Sequence, residues 1–314
     1  MNVRRFEVRV PASTSNLGPG FDCLGLAVDR YLELRWDEQG GAGLVRSGER
    51  PPDGFGDRLA GGLAALGLPD TGTLAIHSNI PVGRGLGSSA ALTVALTVLD
   101  AARRGAAVER FDLLRTVAAD EGHPDNAAPA VVGGLVSAMM NGAEVSAIPL
   151  PLSDSLGWAW AAPGVPASTE AMRAALPEHV DHAAAVRNAA RLAQLLPALA
   201  VGDGPVLARA MQDELHVPMR LPLIPGGAAV RDAAVDAGAW ACTISGAGSG
   251  MIAVSPRGAV ARVVSVMADA FRAVDPDPDS VVAFELRPDL RGARWGPELS
   301  PPTDREVEPP TRRG

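Results

Sequence analysis

The stretch Pro81-Val82-Gly83-Arg84-Gly85-Leu86-Gly87-Ser88-Ser89-Ala90 constrains the fold more than any other part of the chain. Three glycines at alternate positions end in two hydroxyls, and an amphipathic run follows at once. Leu92, Ala95, Leu96 and Leu99 stand at i, i+3, i+4 and i+7, the spacing that lines one side of a helix. Thr73-Leu74-Ala75-Ile76-His77 upstream reads as a short strand, so the junction is strand, glycine loop, helix. Such a loop turns backbone N–H groups toward an anion, and the helix N-terminus adds roughly half a positive charge. Serine hydroxyls there can cap the helix, donate to phosphate oxygens or hold Mg²⁺. Taken alone, the stretch also reads as an ordinary glycine turn with a serine N-cap. A dinucleotide fingerprint fits less well, since it needs a strand-borne acid about twenty residues on, and Asp100 falls in the helical run.

The charged residues narrow the chemistry. All 28 basic residues are arginine. Without lysine there is no Walker A lysine, no protein-kinase strand lysine and no Schiff base. Acids outnumber arginines 36 to 28, for a net charge of −8, and no arginine block is present to track a phosphate backbone, so nucleic acid is not an expected partner. Cys23 and Cys242 stand far apart, which signals neither a zinc site nor a disulfide framework and fits a reducing cytoplasm. Arg4 and Arg5 have no apolar stretch behind them, and longer apolar runs are broken by Gly and Pro. Neither a signal peptide nor a membrane span is expected.

At 314 residues and 47% hydrophobic, the chain suits one large domain or two ordinary ones. Alternation in Phe6-Glu7-Val8-Arg9-Val10 and in Tyr31-Leu32-Glu33-Leu34-Arg35-Trp36 predicts half-buried strands around a polar loop from Pro11 to Gly20. A second helix runs through Leu113, Leu114, Val117 and Ala118. From Trp158 the pattern restarts, with helices expected over 180–200, 203–215, 227–237 and 258–272 and a last strand over 281–286. The expected division is 1–153, 154–295 and a proline-rich, disordered tail over 296–314.

Other loops add polar chemistry. Pro11 to Asp22 contains Ser15-Asn16-Leu17-Gly18-Pro19-Gly20-Phe21-Asp22. Glu121-Gly122-His123-Pro124-Asp125-Asn126 is a second polar loop, and Ser245-Gly246-Ala247-Gly248-Ser249-Gly250 is a further glycine turn. Each alone is ordinary turn chemistry. Together and in this order, with the phosphate-type loop between them, they resemble the GHMP kinase family. Within it, the wording of Ser15 to Asp22, His123-Pro124-Asp125-Asn126-Ala127-Ala128-Pro129 and Ile244 to Gly248 is similar to that of the homoserine kinases. The resemblance spans residues 5 to about 287.

That resemblance implies an α+β fold of two domains, the first like ribosomal protein S5 domain 2 and the second ferredoxin-like. It implies ATP and Mg²⁺ as co-reactants, L-homoserine as acceptor and a place in threonine biosynthesis, and it admits a homodimer without specifying one. Nucleotide binding falls to Pro81, Val82, Gly83, Arg84, Gly85, Leu86, Gly87, Ser88, Ser89, Ala90 and Ala91, together with Gly246 and Gly248. Asn16, Asp22, Asp125, Asn126, Arg173 and Arg220 are implied as substrate ligands, with Asp22 facing the ammonium as a buried carboxylate and the two arginines forking onto the carboxylate. Asp125, Asn126, Thr169 and Arg173 are implied at the reacting centre, and Ser89 and Glu121 as oxygen ligands of the metal. Arg220 is expected on a stiff loop among Pro218, Pro222 and Pro225. The rival expectations are a mevalonate- or shikimate-type kinase of the same family and a non-catalytic binding protein. An intact Gly85, Gly87, Ser88 and Ser89 speak against the latter.

Overall fold

In the computed structural model, which describes residues 5–40, 43–48 and 72–299, the predicted alternation builds the first sheet. Strands β1 (Arg5–Asn16) and β2 (Gly20–Asp37) pair antiparallel, with Val8 opposite Leu34 and Phe6 opposite Trp36, all four buried. β3 (Gly43–Gly48), β4 (Thr73–Ser78), β5 (Leu135–Asn141) and β6 (Glu144–Leu150) join that sheet, with β5 bridging β2 to β6. Among the described residues, three helices cover it: α1 (Ser88–Arg103), α2 (Arg110–Glu121) and α3 (Ala127–Val132). The expected apolar face of α1 is in place, with Leu92, Ala95 and Leu99 buried and Leu96 packed beside them. Burial of each large apolar side chain contributes about 1.5–3 kcal/mol.

β1 is longer than its sequence suggests. The stretch expected as a loop from Pro11 continues as strand to Asn16 through a register shift between Pro11 and Ala12. A bulge there accommodates a residue with no N–H to give the ladder.

After the expected break at 153, β7 (Leu156–Ala162) opens a second sheet. It is followed by α4 (Thr169–Ala174), α5 (His182–Val201), α6 (Gly204–Ala210), α7 (Val217–Arg220), α8 (Gly227–Asp236), β8 (Ala241–Ile244), β9 (Met251–Pro256), α9 (Val260–Arg272) and β10 (Val282–Leu286). The order β10-β7-β9-β8 is that of a ferredoxin-like sheet. Trp158 and Trp160 project from one face of β7 into the core shared with the first sheet, whereas Ala159 and Ala161 face the core under α8 and α9. One apolar core therefore crosses the boundary near 153. The helix expected over 203–215 stops at Ala210, and the Asp213 carboxylate then accepts the N–H groups of Leu215, His216 and Val217 at the start of α7.

The chain then returns. β11 (Arg294–Gly296) pairs with β1, Tyr31 donates its hydroxyl to Asp289 at 2.9 Å, and the Leu299 N–H donates to Glu7. Gly296, expected to open a tail, is instead the end of a strand in the first sheet. Residues 300–314 lie outside the described ones.

Candidate active site

An open cleft of about 810 Å³ runs along the seam between the two sheets and gathers most of the residues singled out from sequence. Its floor is the glycine loop. Gly83, Gly85 and Gly87 all have positive φ, where a side chain would be strained. A Cβ on Gly85 would meet the Ser245 carbonyl oxygen at 1.9 Å, so the loop packs directly on the second glycine turn. Ser245 Oγ donates to the Gly85 carbonyl at 2.7 Å, and the Gly246 N–H donates to the Ser15 carbonyl at 3.1 Å.

The N-cap of α1 is Gly87, not a serine, and no side chain caps this end of a sixteen-residue helix. Its first N–H groups face the cleft without a capping side chain, and no acid stands in the first turn to compete for an anion. Val82, Leu86, Ser88, Ser89, Gly246 and Gly248 border the same space. Four of the residues expected at the nucleotide do not. Ala90 and Ala91 are fully buried in the core, because helical periodicity turns them inward one residue past the loop. Arg84 reaches away to the carbonyls of Gly164 (2.8 Å) and Ser280 (3.3 Å), and Pro81 stands outside the lining.

Ser89 Oγ donates to Glu121 Oε1 at 2.8 Å, so the end of α2 places its glutamate beside the start of α1. Two hard oxygen donors on the rim of an anion cradle fit a small divalent cation that keeps several waters.

The opposite end is ionic. Asn16 (φ 74), Leu17 (φ 47) and Asp22 (φ 56) all hold left-handed backbone, a cluster of strain that recurs at functional loops. Asn16 is spent on that conformation: its amide donates to the Gly246 carbonyl at 2.8 Å and its Oδ1 accepts the Asp22 N–H at 3.0 Å. Asn126 likewise ties loops together, donating to Ser15 Oγ at 3.0 Å and accepting from Ser13 Oγ at 3.1 Å. The side chain of Asp22 is 32% exposed, in place of the buried carboxylate expected, and it forks onto Arg173 at 2.9 and 3.1 Å. Arg173 and Thr169 come from α4, capped by Ser168.

Arg220 is 2% exposed and closes the short helix α7, a correction to the loop expected there. Pro218 sits in the first turn of that helix, where a missing N–H costs nothing. Arg220 Nε donates to the Met172 carbonyl at 2.9 Å, and its guanidinium lies 5.0 Å from the Phe21 ring centre. No carboxylate pairs with it among the described residues, and burial, then the charge of Arg173, pulls its pKa below the ordinary arginine value.

Asp125 is 2% exposed and lies 2.5 Å from His123 Nδ1. Burial pushes the carboxyl up, but the hydrogen bond and charge of His123 and the Ser15 hydroxyl outweigh it, leaving its pKa below the ordinary value. Burial likewise disfavours the charged form of His123, and the bond and charge of Asp125 prevail to raise its pKa. Asp22, His123 and Asp125 bring ligand atoms within 4.8 Å of one another, an acidic corner suited to a cation. His123 and Phe21 stand in motifs quoted from the sequence, but no role at the site was read for either.

Models of the GHMP kinases N terminal domain and the GHMP kinases C terminal match residues 58–134 and 195–273. A homoserine kinase of Moorella thermoacetica is 43% identical over 272 residues, 84% of this chain and 92% of the relative. A homoserine kinase of Gloeobacter violaceus is 39% identical, again over 84% of this chain and 92% of the relative. Among solved structures, homoserine kinase from Cytophaga hutchinsonii superposes with a TM-score of 0.75 at 28% identity, covering 93% of this chain and 97% of that one. Mevalonate kinase from L. major shares the fold at 16% identity and a TM-score of 0.66, over 90% and 96% of the two chains. The glycine cradle, the ionic corner and these relatives agree: the chain belongs to the homoserine kinase branch of the GHMP kinase family.

Proposed function

We propose that the chain transfers the γ-phosphoryl group of ATP to the side-chain hydroxyl of L-homoserine, giving O-phospho-L-homoserine and ADP, a step of threonine biosynthesis. The observation that carries this reading is the Asp22–Arg173 fork with Arg220 beside it, across one cleft from the uncapped start of α1. A zwitterionic amino acid can trade partners with that fork. Its ammonium takes Asp22 while its carboxylate takes Arg173 and Arg220, so every charge stays paired. A mevalonate- or shikimate-type acceptor has no ammonium and leaves Asp22 facing the substrate carboxylate.

ATP would lie with its phosphates on the backbone N–H groups of Gly85 to Ser89 and the start of α1. Ser89 and Glu121 would hold Mg²⁺, which supplies charge neutralisation on the phosphate oxygens when bound. Asp125 accepts the hydrogen of the substrate hydroxyl and aims its oxygen at the γ-phosphorus. The new O–P bond forms as the bond to the β-phosphate oxygen breaks. A pKa below the ordinary value makes Asp125 a weak base, which a loose transition state tolerates because it depends on alignment and charge stabilisation. Thr169, on the first turn of α4, lines the cleft and would contact the transferring group.

ADP release measured with L-homoserine, L-serine, mevalonate and shikimate tests the reading. Turnover should be highest with L-homoserine by kcat/KM. Preference for mevalonate or shikimate would overturn it.

A further inference from the structure

Outside the residues already discussed, the second domain holds a buried histidine at the back of the ionic corner. His216 is fully buried and immediately precedes α7, the four-residue helix that ends in Arg220. Its Nε2 lies 3.0 Å from the Gly18 carbonyl, so this nitrogen carries the hydrogen and donates. The ring stacks on Phe21 at 5.0 Å with 29° between planes. Phe21 in turn lies under Arg220 at 5.0 Å and Arg173 at 5.8 Å. Asp213 fixes the start of the helix: one of its oxygens accepts the N–H groups of Leu215 (3.1 Å), His216 (2.7 Å) and Val217 (2.7 Å). Gly18 packs directly on the Met211 backbone, where a Cβ would meet the carbonyl oxygen at 2.2 Å.

Two substrate-facing groups thus share one support. Asp22 rides on the strained loop that His216 grips at Gly18 and Phe21, and Arg220 rides on the helical turn that starts next to His216. We infer that His216 is a positioning residue that sets the spacing between Asp22 and Arg220, so that an ammonium and a carboxylate are read together as one α-amino-acid headgroup. The inference rests on the homoserine reading above. His216 does not touch the cleft and acts only through Gly18, Phe21 and α7.

Two substitutions separate its contacts. His216→Phe keeps a ring against Phe21 and removes the donor, leaving a buried carbonyl unpaired. His216→Gln keeps a donor near the Nε2 position and removes the ring. The Phe variant should raise the KM for L-homoserine on the order of tenfold, about 1.4 kcal/mol, with the KM for ATP unchanged. The Gln variant should recover most of that loss. Selectivity is the readout that a merely structural role would not move. The preference for L-homoserine over 3-aminopropan-1-ol, which lacks the carboxylate, and over 4-hydroxybutanoate, which lacks the ammonium, should fall in the Phe variant. Should that variant fold poorly, Phe21→Leu breaks the same coupling and should shift the same ratios.

Unchanged homoserine KM and selectivity in these variants would overturn the inference. So would equal losses for ATP and homoserine accompanied by a lowered Tm, which mark general destabilisation. A wild-type protein inactive on L-homoserine overturns the substrate reading and this inference with it. An active wild type with unaltered variants overturns the inference alone.

Discussion

Replacing Asp22 by Asn is the most direct test of the ionic corner, because it removes one charge while preserving size. In the free protein Asp22 forks onto Arg173 at 2.9 and 3.1 Å, with the two side chains 32% and 42% exposed. A pair this open is worth only about 0.2–1 kcal/mol, so the fold should survive its loss. Binding is a different matter. In the wild type, L-homoserine must displace that weak pair and gains a charge-assisted contact between its ammonium and Asp22, on the order of 1.5–3 kcal/mol. In the variant it displaces nothing and gains no such contact. The net loss is the difference, about 0.5–2.8 kcal/mol, or roughly twofold to 110-fold in Kd. Calorimetry with a non-hydrolysable ATP analogue present measures it directly. 4-Hydroxybutanoate, which lacks the ammonium, should bind the variant as well as or better than the wild type, since Arg173 is then free. Equal loss for both ligands would refute the assignment, and unchanged homoserine affinity would move the ammonium site elsewhere.

Ser89→Ala and Glu121→Ala should lower kcat more than the homoserine KM, because metal-held charge is worth more in the transition state than in the ground state; initial rates across a Mg²⁺ titration check this. Arg220→Lys should raise the homoserine KM yet spare ATP, as an ammonium reproduces neither the fork nor the Nε donation to the Met172 carbonyl, and equal effects on both substrates would count against a carboxylate role. Gly85→Ala puts a Cβ 1.9 Å from the Ser245 carbonyl oxygen at a φ of +78°, so we expect destabilisation of roughly 2 kcal/mol or more from strain and overpacking, read as a lowered Tm together with a raised KM for ATP.

How much of this was legible in the sequence follows from range. The glycine loop, the buried stripe of α1 and the alternation of β1 and β2 rest on neighbours a few positions apart, and local pattern carries them. The Asp22–Arg173 fork joins residues 151 positions apart. Each was expected to face the substrate, and only the fold shows that they neutralise each other in its absence. Contiguity with the loop draws Arg84, Ala90 and Ala91 toward the nucleotide, but helical periodicity carries the alanines into the core and the arginine turns to the second domain. The prolines flanking Arg220 read as a loop, although a proline in the first turn also opens a helix. His216 gave one local signal, an aspartate three residues upstream with Pro218 following, which is a helix-start pattern. Its grip on Gly18, 198 positions away, is written only in three dimensions.

A phosphate site in a chain without lysine must find its positive charge elsewhere, and the position of Arg84 makes that demand sharper. Arg84 is the basic residue within the glycine loop, and its guanidinium is engaged with the Gly164 and Ser280 carbonyls. Arg173 lies across the cleft in a fork with Asp22, and Arg220 is buried against Phe21 and the Met172 carbonyl. The loop itself therefore offers phosphates backbone N–H groups and the start of α1, which together amount to a partial charge. A triphosphate carries several negative charges, and a helix terminus cannot balance them. The remainder falls to the cation that Ser89 and Glu121 are proposed to hold. Electrostatic labour is thus divided along the cleft. On the proposed reading, backbone dipoles and metal would serve the nucleotide at one end, and arginine forks the acceptor at the other. Among the described residues, Arg173 and Arg220 line the proposed acceptor end of the cleft, while Arg84 turns its guanidinium out of the glycine loop.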